Sequence, residues 1–139
     1  VDDLERFVAA QDDSGTFAQA MSELRAGRKR SHWMWFVFPQ LAGLGHSEMS
    51  QIYAIASLEE AREYLADPVL GWRLRESAAA LLEHSGRSAE EILGPIDALK
   101  LRSSMTLFGL ADPAEPLFGE LLEKFFGGVG DERTEAALA

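Results

Sequence analysis

Start and stop signals for helices recur at short intervals along almost the whole sequence, and they leave little room for other regular structure. Ser57 with Glu60 and Ser88 with Glu91 place a hydroxyl three residues ahead of a carboxylate, the pattern in which two side chains share the unpaired N–H groups of a first turn. Asp67-Pro68, Pro95 and Asp112-Pro113 interrupt and restart the chain where a missing backbone donor costs least. Gly27 and Gly127-Gly128 suit left-handed stops. Between these marks the apolar residues keep helical spacing. Asp2 and Asp3 precede Leu4, Phe7 and Val8, with acids where the helix dipole favours them, and Ser14 is placed to cap a helix carrying Phe17, Ala20, Met21 and Leu24. Leu58, Ala61, Tyr64 and Leu65 follow the first box, and Val69, Trp72, Leu74, Ala78, Leu81 and Leu82 fill a helix from Pro68 to about His84. A helix from Pro95 should run to about Leu110; Leu117, Phe118, Leu121, Leu122, Phe125 and Phe126 define another, and Asp131 caps a last, frayed turn. No hairpin dipeptide joins two alternating runs, and no repeat or low-complexity linker occurs. The expected class is all-α, a single compact domain over residues 1–139 built from about six to eight helices.

The segment His32 to Phe38 resists this pattern. Its unbroken bulky run suits a buried strand or a buried helix, and periodicity does not separate the two. A lone strand needs a backbone partner and none is evident, so the expectation is a short helix capped by Ser31 and halted near Pro39, with an extended segment as the alternative.

With 139 residues, 47% hydrophobic and 26% charged, the chain suffices for one core without covalent staples. It has no cysteine, which removes disulfides, thiol nucleophiles and thiolate metal sites and accords with a reducing cytoplasm. Thirteen Lys and Arg against 23 Asp and Glu give a formal net charge of −10, a field that repels phosphate polymers, so nucleic acid is not an expected partner. Neither is a membrane. Trp33 to Phe38 is far shorter than the roughly 20 residues of a spanning helix, and the opening Val1-Asp2-Asp3-Leu4-Glu5 lacks the cationic and apolar stretches of a secretory leader. The expected location is the cytoplasm.

The string Lys29-Arg30-Ser31-His32-Trp33-Met34-Trp35-Phe36-Val37-Phe38-Pro39-Gln40, followed by Gly43-Leu44-Gly45, strongly resembles a widespread family of small bacterial and fungal proteins of unknown function. The resemblance continues in Tyr53, Glu60-Ala61, Tyr64-Leu65, Leu70-Gly71, Arg73-Leu74, Asp97, Lys100-Leu101, Ser103 to Phe108, and in Gly128, Asp131 and Thr134, and so spans nearly the entire chain. It implies a compact helical domain and no established activity. Some members carry the label "calpastatin", the name of a largely disordered protease inhibitor, which this patterned chain does not look like.

One departure from the acidic field is local. Arg25, Arg28, Lys29 and Arg30 crowd four cations into six positions just ahead of the tryptophans. If Ser31 caps a helix, the free N–H groups of its first turn, with Arg28, Lys29, Arg30 and His32, form an anion site, and Trp33, Trp35 or Tyr53 can stack on a ring attached to that anion. The simpler reading is a solvated basic turn followed by core aromatics. Along the helix from Pro95, a rotation of about 100° per residue puts Ile96, Leu99, Ser103, Leu107 and Leu110 on one arc and Asp97, Lys100, Leu101, Ser104 and Phe108 on the next. The second arc is either a polar pocket wall or an internal Asp97–Lys100 pair with Ser104 bonded to a backbone carbonyl.

Other motifs carry less. Gly43-Leu44-Gly45-His46-Ser47 reads as a turn into a helix near Glu48 capped by Ser47, and matches neither a dinucleotide fingerprint nor a P-loop. His32, His46 and His84 are widely spaced, and Glu59, Glu60 and Glu63 read as an exposed acidic face, so neither a metal nor a cofactor is expected. Ser103 or Ser104 with His32 and Asp97 would make a triad, but no nucleophile elbow supports it.

The expected function is binding, with turnover left open, of a small anionic or nucleotide-like ligand between the basic-aromatic segment and the Asp97/Lys100/Ser104 face. The candidate site residues are Lys29, Arg30, Ser31, His32, Trp33, Trp35, Gln40, Tyr53, Asp97, Lys100 and Ser104. No catalytic residue is assigned; in an enzyme, His32 or Asp97 would move protons and Lys100 would hold negative charge. The alternative is a protein-interaction module whose exposed aromatics meet a partner. DNA binding ranks below both, because no second basic helix is present to enter a groove.

Overall fold

The structure, a computed structural model, describes residues 3–139. Asp2, one of the two acids assigned to the first helix start, lies outside them, as does Val1. Among the described residues the α-helices in chain order are α1 (Glu5–Asp12), α2 (Thr16–Ala26), α3 (Met34–Val37), α4 (Glu48–Ile52), α5 (Leu58–Ala66), α6 (Leu70–Leu82), α7 (Ala89–Leu93), α8 (Pro95–Ala111), α9 (Pro116–Phe126) and α10 (Glu132–Leu138). The class is all-α. The count exceeds six to eight because α3, α4 and α7 are single turns of four or five residues that link longer helices.

Most helix starts are local chemistry. Ser57 accepts the Glu60 N–H at 3.1 Å, and Ser88 and Glu91 bond reciprocally as a complete capping box. Ser47 and Asp131 cap α4 and α10, and α10, at seven residues, is longer than a frayed turn. Asp67 Oδ1 accepts the N–H groups of Val69 and Leu70, both at 2.9 Å, so the aspartate starts α6. Gly27 ends α2 at φ 76°, the left-handed stop that a side chain resists.

Two expected caps are wrong. Ser14 does not cap α2. It lies at φ 53° in a 3-10 turn, Asp13–Gly15, where joining two helices over three residues forces a left-handed step, and Gly15 takes the N-cap position. Ser31 does not cap α3 either, because its hydroxyl donates to the Glu23 carboxylate, and Trp33 precedes α3 with no side-chain cap.

A helix as short as α3 cannot satisfy its own carbonyls, so other elements must. Gln11 of α1 donates to the Phe36 carbonyl at 2.7 Å and to the Tyr64 hydroxyl at 3.2 Å, while Arg73 donates to the Gln11 side-chain oxygen at 3.1 Å. Beyond Pro39 the chain does find a backbone partner. Ala42 N–H donates to the Ile55 carbonyl and Ile55 N–H to the Gln40 carbonyl, both at 2.8 Å, forming an isolated parallel bridge between Leu41 and Ile55.

Helix α8 is the centre of the packing. It lies against α5, α7, α9 and α10, and α6 closes on α2, α5 and α9. Its middle is enclosed on every side: Ser103, Ser104, Met105, Thr106, Leu107 and Phe108 are consecutive and all buried. Its first half emerges at the surface, where Ile96 and Leu99 are 71% and 60% exposed. The emerging end carries Asp97 and Lys100, and this placement builds the cleft described next. Among the described residues no helix is long and apolar enough to cross a membrane.

Candidate functional site

The frame of the site is a buried carboxylate. Glu23 sits one residue before Leu24 on the inner side of α2 and is only 4% exposed. Its Oε1 accepts the N–H groups of Arg30 (2.8 Å) and Ser31 (3.0 Å) and the indole N–H of Trp33 (2.8 Å); its Oε2 accepts the Ser31 hydroxyl and the Gln19 amide (2.9 Å). Burial alone would push this carboxyl up. The backbone N–H of Arg30, the Ser31 hydroxyl, the Gln19 amide and the Ser31 N–H outweigh burial and bring it down to about 2. The anion expected on these backbone donors is therefore supplied by the chain itself.

With residues 30–33 tied to α2, the Lys29 N–H donates to the Ile92 carbonyl at 2.7 Å and fixes the segment to α7. Helix α7 runs through Gly94 directly into α8, so Lys29 arrives beside the first turn of α8. Lys29 Nζ lies 2.9 Å from Asp97 Oδ2, and Lys100 Nζ lies 3.2 Å from Asp97 Oδ1. Each ammonium also stands 5.1 Å from the centre of an indole, Lys29 over Trp33 and Lys100 over Trp35. Around this cluster opens a cleft of about 370 Å³, walled by His32, Met34, Trp35, Leu93, Pro95 and Ile96 as well as the three charged residues. Among the described residues Asp97 is the one carboxylate in its lining.

Five of the candidate residues, Lys29, His32, Trp35, Asp97 and Lys100, thus line one cleft. Gln40 lines a neighbouring hollow, which shares Ile96 and Lys100 with the first. The others lie elsewhere. Trp33 is fully buried beneath Lys29 and bonded to Glu23, so no ligand ring can stack on it. Ser104 is also fully buried and belongs to neither hollow, because its position on α8 turns inward. Its hydroxyl has no hydrogen-bond partner among the described residues; the back-bond to a carbonyl expected for it is made instead by Ser103 to Leu99 (3.2 Å). Ser31 is held by Glu23, Arg30 is exposed outside the cleft, and Tyr53 packs against Phe7 and Phe36 at ring separations of 5.8 and 5.3 Å. A triad through Ser104 is excluded by that burial. Among the described residues no three His, Asp or Glu side chains gather as metal ligands would.

The sequence reading missed Glu23 and Gln11, and a signal for both was present. Gln11 continues the Leu4, Phe7 and Val8 stripe at the next helical position, where a polar side chain must find buried partners. Glu23 adjoins Leu24 at the end of an apolar stripe, just ahead of a segment rich in unpaired N–H groups.

Over residues 1–138 the sequence matches the family described as "Protein of unknown function (DUF1810)". Among solved structures, the crystal structure of the conserved hypothetical protein Rv1873 from Mycobacterium tuberculosis at 1.38 Å is similar, with a TM-score of 0.95 and 54% identity over 98% of this chain and 96% of that chain. Among curated proteins none matches.

Proposed function

The chain belongs to the DUF1810 family, whose description assigns no activity, and we propose from its cleft that it binds a small anionic ligand of nucleotide type. One observation carries the reading: two partly buried ammonium groups, Lys29 and Lys100, share a single carboxylate, Asp97, in a cleft whose lining holds no second acid among the described residues. One positive charge is left uncompensated there, on a chain whose net charge is −10. An anion would gain charge-assisted bonds to both lysines, and the accessible wall of Trp35, Pro95 and Ile96 would receive an attached ring. Binding alone is proposed, and no group in the cleft is assigned a catalytic step.

The test is a thermal-shift and calorimetric screen with nucleoside mono- and diphosphates. Nucleotides should raise the melting temperature of the wild-type protein, and Lys100→Ala should abolish the rise while leaving the helical circular dichroism intact. A flat response in the wild type overturns the reading. It would favour the protein-interaction alternative, for which the exposure of Ile96 and Leu99 at 71% and 60% is the supporting observation.

A further inference from the structure

The second hollow, of about 320 Å³, adjoins the tryptophan cleft, and Ile96 and Lys100 line both. Its remaining lining is Gln40, Leu44, Gly45, Leu99, Ser103, Asp131 and Arg133. Like the first cleft it holds, among the described residues, two cations and one acid, here Lys100 and Arg133 with Asp131, and it adds uncharged acceptors. Ser103 spends its proton on the Leu99 carbonyl at 3.2 Å and so offers lone pairs to the hollow. Asp131 accepts Thr134 N–H (2.9 Å) and the Thr134 hydroxyl (2.6 Å), and among the described residues both bonds fall on Oδ2. Gln40 can both donate and accept. Arg133 is held on the carbonyls of Gly43 and Leu44, both at 3.3 Å, and closes the wall. Acceptors on a rim above apolar Leu44 and Leu99 suit a neutral polyol, whose hydroxyls donate to the rim while its C–H face covers the leucines.

Lys100 is common to both hollows, whereas Lys29 and Trp35 line only the first and Gln40, Ser103 and Asp131 only the second, so this ammonium group stands where the two meet. An anion held on Lys100 borders both hollows, and Lys100 and Arg133 together offset Asp131 in the second, so a further group can be joined to that anion on the side away from Trp35. We infer that the ligand continues past Lys100 into the second hollow and belongs to the class of nucleoside diphosphates joined to a second sugar. The inference rests on the anion-binding reading of the first cleft and adds the sugar subsite and the position of the charge.

Calorimetry with UDP-glucose and ADP-ribose against UDP and ADP separates the two claims. At least one extended ligand should bind about tenfold or more tightly than its parent diphosphate. Leu99→Trp, made at an exposed position and filling the second hollow, should erase that advantage and leave the parent's affinity unchanged. Equal affinity of extended and parent ligands, or an advantage that survives Leu99→Trp, overturns the sugar subsite and leaves the first-cleft reading standing. Failure of all four ligands to bind overturns both.

Discussion

The indole N–H of Trp33 donates to Glu23 Oε1 at 2.8 Å, and the backbone N–H groups of Arg30 and Ser31 donate to the same oxygen. A tryptophan that looks in sequence like a stacking surface is thus a tie between the basic segment and α2. The carboxylate at the other end of that tie sets the acid stability of the fold. Glu23 is held at about 2 against an ordinary value of 4.5, so the unfolded chain takes up this proton first. Its contribution is complete above about pH 4.5 and is lost as pH falls toward 2.

We therefore expect the wild type to lose about 3 kcal/mol more than Glu23→Gln across that acid window, measured as the difference between their urea-denaturation stabilities at each pH. At neutral pH the Gln variant should be less stable by about 3 kcal/mol, since its amide turns donors toward donors. Parallel pH profiles of the two proteins would refute the assignment.

Tyr64 and Gln11 make a second buried polar pair, at 3.2 Å. Burial pushes the Tyr64 phenol well above its ordinary value, so the stability it confers is complete below about pH 10 and is lost as pH rises beyond it. In a Tyr53→Phe background, an ultraviolet titration should show the remaining tyrosine ionising only as the helical signal collapses. Gln11→Met should cost about 2 kcal/mol, because it removes the 2.7 Å bond to the Phe36 carbonyl and leaves that oxygen only the Tyr64 hydroxyl at 3.5 Å.

Ser104→Ala should go the other way. The hydroxyl is buried with no partner among the described residues, so removing it should raise stability by about 1 kcal/mol in a thermal melt. A loss of similar size would show that the hydroxyl is bonded.

Asp97→Asn tests the balance of charge in the cleft. The carboxylate competes with any bound anion for Lys29 and Lys100, at 2.9 and 3.2 Å. Its removal should tighten inorganic phosphate binding by about tenfold, or about 1.4 kcal/mol. A weaker phosphate affinity would mean that Asp97 serves chiefly to position the lysines.

Helix boundaries were legible wherever a side chain acts on its own first turn, as at Ser57, Ser88, Ser47 and Asp131. They failed at Ser14 and Ser31, whose conformation or bonding is set by neighbouring elements rather than by local spacing. In the site, Lys29, Asp97 and Lys100 were readable as charges that need partners. That Lys29 joins the pair was not readable, because it follows from the backbone bond to Ile92, far along the chain. Ser104 was misplaced for a related reason: α8 passes from surface to core between its first turn and its middle, so equivalent positions on one arc do not share one environment.

The internal anchoring of residues 30–33 separates shape from reactivity. Glu23 holds the backbone from beneath, and the side chains of Arg28, Arg30 and His32 project outward without taking part in that anchorage. Substitutions at those outward positions can retune what approaches the cleft at little structural cost, so selectivity and foldability are free to diverge independently in this lineage.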